Sequence, residues 1–238
     1  MLYEEISVHM LITLTGGIFF SFPITAMATE ASATYDAIIN LGGDCQPQHQ
    51  MKINHLRKYA LPFDHLVTPV ESLLKILEQR FELFLEKETL AFKVTEKEKY
   101  IEDTRYGIRM IHDFSLTEDF LKDYEEIKAK YTRRIHRFHD ILQSSQKVLF
   151  IRKRITKEQV VLLDLLIRKL YPKLEFLIVA LDGSKECQED WQIPHVRNFH
   201  LRQPEPYIWT GDDIAWKEIF EQLDLDMMKF TDALDDYC

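Results

Sequence analysis

Four short apolar runs, Ile38 to Leu41, Val148 to Arg152, Glu175 to Leu181 and Val196 to Leu201, recur between segments of helical length, and this alternation most narrows what the chain can become. Each run has the length of a strand and the composition of a buried one. Apolar spacing predicts helices from Gln46 onward and over residues 70–86, 117–142, 157–170 and 213–223. Strands alternating with such helices lead to one expectation: a single-domain α/β fold, with a mostly parallel central sheet and helices on both faces. Sites in such sheets gather at the carboxyl ends of the strands. Residues 87–105 are charged and weakly periodic, and they read as a surface excursion, in hairpin form, before a further apolar run from Ile108 to Phe114.

The chain has 238 residues, 46% hydrophobic and 12% aromatic, enough for one substantial core. Thirty basic against 39 acidic residues give a net charge of −9, which argues against general binding to nucleic acid or anionic membranes. The three cysteines, Cys45, Cys187 and Cys238, form no CxxC pair, so neither a disulfide framework nor a cysteine-rich zinc module is indicated. Cys187, His195 and His200 lack the close ligand pairs of a zinc site. No Walker loop, dinucleotide fingerprint or Gly-x-Ser-x-Gly elbow occurs, and no cofactor or metal is expected.

Met10 to Ile24 is apolar and Ala26-Met27-Ala28 has the small-x-small form of a cleavage site, so residues 1–28 read as an export signal. The acids Glu4 and Glu5, and the lack of basic residues there, depart from that pattern. On this reading the domain runs over 29–238 and is secreted or periplasmic; otherwise it is cytoplasmic. Gly16, Gly17 and Pro23 make the segment a poor spanning helix, and nothing later resembles one.

The junction Asn40-Leu-Gly-Gly-Asp-Cys-Gln-Pro47 places Cys45 where a strand ends and a helix with an early proline begins. A thiol there would feel the positive end of the helix, which lowers its pKa, and the N–H groups around Gln46 could hold an oxyanion. A cysteine hydrolase also needs an imidazole and a group to orient it. His112, which follows the run from Ile108, with Asp113 or with Asp64 of Leu61-Pro-Phe-Asp, supplies those types, and His49 is a rival base one helical turn from Cys45. The bland alternative is a packed cysteine.

Lys130-Tyr-Thr-Arg-Arg-Ile-His-Arg137 concentrates positive charge in an acidic chain. Arg133, Arg134 and Arg137, joined by Arg152 and Arg154, offer an anion site, against the plainer reading of a solvated helix face. Trp191, Trp209 and Trp216 are candidates for a cleft wall or for core packing.

Taken in order, Asp-Ala-Ile-Ile-Asn-Leu-Gly-Gly-Asp-Cys-Gln-Pro, Leu-Pro-Phe-Asp, Ile-His-Asp-Phe, Lys-Tyr-x-Arg-Arg-Ile-x-Arg-Phe and Val-Leu-Phe-Ile-Arg resemble a bacterial domain family described as putative papain-like cysteine peptidases, over about Tyr35 to Trp216. The resemblance implies Cys45 as nucleophile, His112 as base, and Asp113 or Asp64 as the orienting acid, in the papain-like order of cysteine before histidine. Two departures stand out. Leu41-Gly42-Gly43 precedes the cysteine where an oxyanion glutamine is expected, and His65 follows Asp64 where an aromatic residue is expected. The expected function is a cysteine-dependent hydrolase or acyl transferase acting on a peptide, amide or ester. The alternative is a non-catalytic module holding an anion through the arginines, and a protein partner is left unnamed.

Overall fold

A computed structural model describes residues 35–223 and Leu225. The segment read as an export signal lies outside them. The four apolar runs form one parallel sheet in the order β1-β6-β7-β8: β1 is Ala37–Asn40, β6 Lys147–Lys153, β7 Glu175–Asp182 and β8 Val196–His200. Their residues alternate between two cores. Ile39, Val148, Phe150, Ile178 and Ala180 face one layer, and Ile38, Leu149, Ile151, Val179 and Leu181 face the other. This is why the strands read as continuous apolar runs rather than as alternating ones.

Helices α1 (Gln46–Ile53) and α5 (Asp213–Glu221) cover the second layer through Met51, Trp216, Ile219 and Phe220. Helices α2 (Val70–Glu78), α3 (Tyr124–Ser144) and α4 (Lys157–Leu170) cover the first. The start of α4 is fixed by a capping box, in which the Thr156 hydroxyl accepts from the Gln159 N–H while the Gln159 side chain accepts from the Thr156 N–H. Among the described residues no helix is long and apolar enough to cross a membrane.

Two departures from the sequence reading matter. Helix α2 stops at Glu78 rather than continuing to residue 86, because Arg80, Phe81, Leu83 and Leu85 take positive φ. That strained path still buries Phe81, Phe84 and Leu85, and side chains serve its backbone: Asp103 accepts from the Leu85 N–H and Lys128 donates to the Phe84 carbonyl. Secondly, the hairpin expected within residues 87–105 is present, but it is part of a second sheet that also takes in residues 66–67 and 108–110. Strands β2 (Leu66–Val67), β3 (Leu90–Val94), β4 (Lys99–Asp103) and β5 (Ile108–Met110) make an antiparallel sheet in the order β2-β5-β4-β3. The strand preceding His112 is therefore not part of the parallel sheet.

The Arg152 side chain, 1% exposed, braces one sheet against the other, since its guanidinium donates to the Leu41 carbonyl at 2.8 Å and to the Thr68 carbonyl at 2.6 Å. Leu41 follows β1 and Thr68 follows β2, so this side chain ties together the ends from which the site is built.

Candidate active site

Beyond β1 the chain must turn sharply beneath β6, and two glycines let it. Gly42 and Gly43 have φ of +82° and +109°, and a Cβ on Gly43 would lie 2.4 Å from the Lys153 carbonyl oxygen. This close approach places Asp44 and Cys45 over the carboxyl end of β6. Asp44 is fixed by three donors: the Gln46 N–H at 3.0 Å to one oxygen, and Lys153 at 2.8 Å and Arg154 at 3.1 Å to the other. Cys45 is the N-cap of α1, a free, half-buried thiol with no capping hydrogen bond.

A cleft of about 320 Å³ opens above it, lined by Asp44, Cys45 and Gln46, by Val67, Glu98, Arg109, Ile111 and His112 of the antiparallel sheet and its ends, by Arg154, and by Tyr207 and Trp209. Cys45 and His112 thus face one cavity although they leave different sheets. Register explains how: β2 pairs with β5 with Val67 opposite Arg109, and the buried pair Leu66 and Met110 points the other way. The residues facing away from the core, Val67, Arg109 and Ile111, consequently form one wall.

Around α1 the polar side chains are committed. The Gln46 side chain donates to the Gln203 side chain and the Trp209 carbonyl and accepts from the Trp216 indole, while Gln50 donates to the Thr210 carbonyl and to Asp213. These bonds hold the 203–213 segment, with half-exposed Tyr207 and Trp209, against the helix that carries Cys45. His49 lies against Trp209, ring centres 5.0 Å apart, and is not among the cleft-lining residues.

Electrostatics correct one expectation. Burial, and then the negative charges of Asp44, Asp113 and Asp64, push the Cys45 thiol from its ordinary 9.0 up to about 11, against a smaller opposing effect of Lys153. The helix start does not depress it, for local reasons. Its first N–H, that of Gln46, is already bonded to Asp44, Pro47 has none to offer, and a carboxylate stands beside the thiol. The same bond occupies the Gln46 N–H as an oxyanion donor.

The two candidate orienting acids are engaged elsewhere. Burial alone would raise the Asp113 pKa, yet the Lys130 ammonium at 2.6 Å and the Tyr131 hydroxyl at 2.7 Å hold it below the ordinary carboxylate range. Asp64 accepts from the Leu61 N–H at 2.8 Å, closing the Leu61-Pro-Phe-Asp turn, and pairs with Arg57 at 3.5 Å. Among the described residues neither carboxylate is hydrogen-bonded to His112, which is exposed at the cleft. His65 is half-buried next to these acids; burial lowers its pKa and Asp64 opposes that.

The arginines singled out by sequence do not converge on the cleft. Arg133 is exposed on α3, Arg134 is buried with its guanidinium over the Tyr131 ring at 5.3 Å, Arg137 donates to the Ala60 carbonyl, and Arg152 is the internal brace. Helical spacing puts neighbouring residues on different faces, and a buried guanidinium finds carbonyls as readily as anions. The cleft's cations are Arg154 and Arg109. Arg109 escaped notice, though its place as the one polar residue of Ile108-Arg109-Met110 marks it as the member of that strand facing away from the core. Trp191 and Trp216 are core residues, and Trp209 is the one at the cleft.

Comparison with known proteins gives the chain a family. The family model described as "Putative papain-like cysteine peptidase" matches residues 36–181, from β1 through most of β7 and so across both sheets. The uncharacterized protein R408 of Acanthamoeba polyphaga mimivirus is 27% identical, over 76% of this chain and 95% of its own length. That relative is viral, so a bacterial source is not supported by the comparison. No solved structure matches. The family match takes in more than half of the residues and includes Cys45, Asp64, His112 and Asp113, and on that basis the chain belongs to the putative papain-like cysteine peptidase family.

Proposed function

We propose that this protein is a cysteine-dependent hydrolase of peptide, amide or ester bonds, with Cys45 as nucleophile and His112 as general base and then general acid. The observation that carries the reading is that Cys45 and His112, brought from two different sheets, line one cleft. With the thiol near 11, about one molecule in ten thousand holds a thiolate at pH 7. A resting thiolate–imidazolium pair is therefore not the ground state of the unliganded site. Instead the imidazole takes the thiol proton as sulfur attacks the carbonyl, returns it to the leaving group, and water then releases the acyl group from Cys45. An amine or alcohol in place of that water would make the same site an acyl transferase.

Asp64 and Asp113 act on the thiol through their charge, and one of them orients His112 if the imidazole moves inward when substrate closes the cleft, as catalytic contacts commonly tighten only in the complex. The test is turnover of a peptide and ester library by wild type, Cys45→Ala and His112→Ala. Both variants are expected to fold and to lose at least a hundredfold in kcat/KM. Undiminished turnover by Cys45→Ala would sink the proposal.

A further inference from the structure

In a chain with nine negative charges in excess, the wall of the cleft above Cys45 is balanced, two arginines against two carboxylates. Its wall carries Arg109 and Arg154 against Glu98 and Asp44, and Lys153, directly behind, already satisfies Asp44 from a buried position. Arg154 is therefore the more available of the two arginines: its side chain is 51% exposed, and it shares one Asp44 oxygen with Lys153.

Across the cavity Arg109 projects from β5, its guanidinium carbon over the Tyr100 ring, 5.3 Å from the ring centre, and paired with Glu98. Both partners of that pair are about one-third exposed, so the bond is weak in water and exchanging Glu98 for another carboxylate costs little. Tyr207 lines the same cavity as Arg154 and Cys45. Half-exposed Tyr207 and Trp209, with Val67 and Ile111, supply the apolar remainder.

We propose that the cleft selects substrates carrying a carboxylate, which Arg154 and Arg109 hold while the neighbouring apolar part lies against Tyr207 and Trp209 and presents the scissile carbonyl to Cys45. Guanidinium forks suit a planar carboxylate, and a cavity of about 320 Å³ is at the small end of ligand sites, which fits a short acid-bearing peptide better than an extended chain. This specificity rests on the reading of Cys45 as the nucleophile.

The test uses the full chain and measures how far three peptides slow alkylation of Cys45 by iodoacetamide at pH 9: acetyl-Ala-Phe as the free acid, its amide, and acetyl-Glu-Phe-amide. A carboxylate-bearing peptide is expected to protect at a concentration at least tenfold below that of the neutral amide, and the preference should fall with added salt. Which of the two acids protects better identifies a chain terminus or an acidic side chain as the source. Arg154→Gln and Arg109→Gln, checked for an unchanged melting temperature, should each reduce the preference at least fivefold, and Arg154→Lys should retain part of it. Equal protection by acid and amide overturns carboxylate selection while leaving Cys45 as nucleophile untouched. Absence of protection by any peptide also overturns it, and the nucleophile is judged separately by turnover of Cys45→Ala.

Discussion

The raised proton affinity of Cys45 can be tested through Asp44. Against a cysteine of ordinary pKa 9.0, a thiol near 11 has about a hundredfold less thiolate at pH 8. A more basic thiolate is also more nucleophilic, by roughly six- to tenfold for that difference, so alkylation should run about tenfold slower than that of an exposed reference thiol. Its rate should climb with pH up to a midpoint near 11, because reactivity belongs to the deprotonated form and burial favours the protonated one. Asp44→Asn removes the first of the three carboxylates acting on the thiol, and it frees the Lys153 ammonium, 2.8 Å from Asp44, to act on sulfur against Asp113 and Asp64 alone. Burial, the larger cause, remains, so the midpoint should drop below that of wild type while staying above 9, and the rate at pH 8 should rise. The assay is iodoacetamide alkylation between pH 7 and 11.5, followed by mass spectrometry of the Cys45 peptide, with buried Cys187 as the slow internal control. A wild-type midpoint at or below 9, or an Asp44→Asn variant that reacts more slowly, would refute the reasoning.

Two further outcomes follow from how the site is built. Arg152→Met leaves the Leu41 and Thr68 carbonyls without their donor in the interior, and the loss of two charge-assisted bonds, offset in part by the relief of burying a guanidinium, should cost about 2–5 kcal/mol in urea unfolding; a change below about 1 kcal/mol would mean the brace is dispensable. Gly43→Ala meets the Lys153 carbonyl at 2.4 Å with φ at +109°, so the turn must shift; a loss of roughly 1–3 kcal/mol from backbone strain alone is expected in thermal melts, and an unchanged melting temperature would refute the close approach.

Much of the fold is legible in the chain, because a buried parallel strand needs apolar residues on both faces, and Val148 to Ile151 is such a run at strand length. The Thr156 cap, the Gly42-Gly43 turn and the strand-to-helix position of Cys45 are also local chemistry, written in neighbouring residues. The end of α2 was not legible. Phe81, Phe84 and Leu85 keep a helical spacing, but the core receives them from a left-handed path that only the packing around them makes worthwhile.

For the site, sequence named the residues and structure decided their company. Cys45 and His112 follow separate strands in the chain, and that they share a cavity depends on β5 joining an antiparallel sheet and on Arg152 bracing that sheet to β1. A cluster such as Arg133, Arg134 and Arg137 looks like a site in one dimension, yet the 100° step between successive helix positions divides it between solvent and interior. Charge composition fixed the sign of the whole molecule at −9. The pair of arginines facing the cleft, and the high proton affinity of its thiol, arise from which side chains burial and register bring together, and that is decided only in three dimensions.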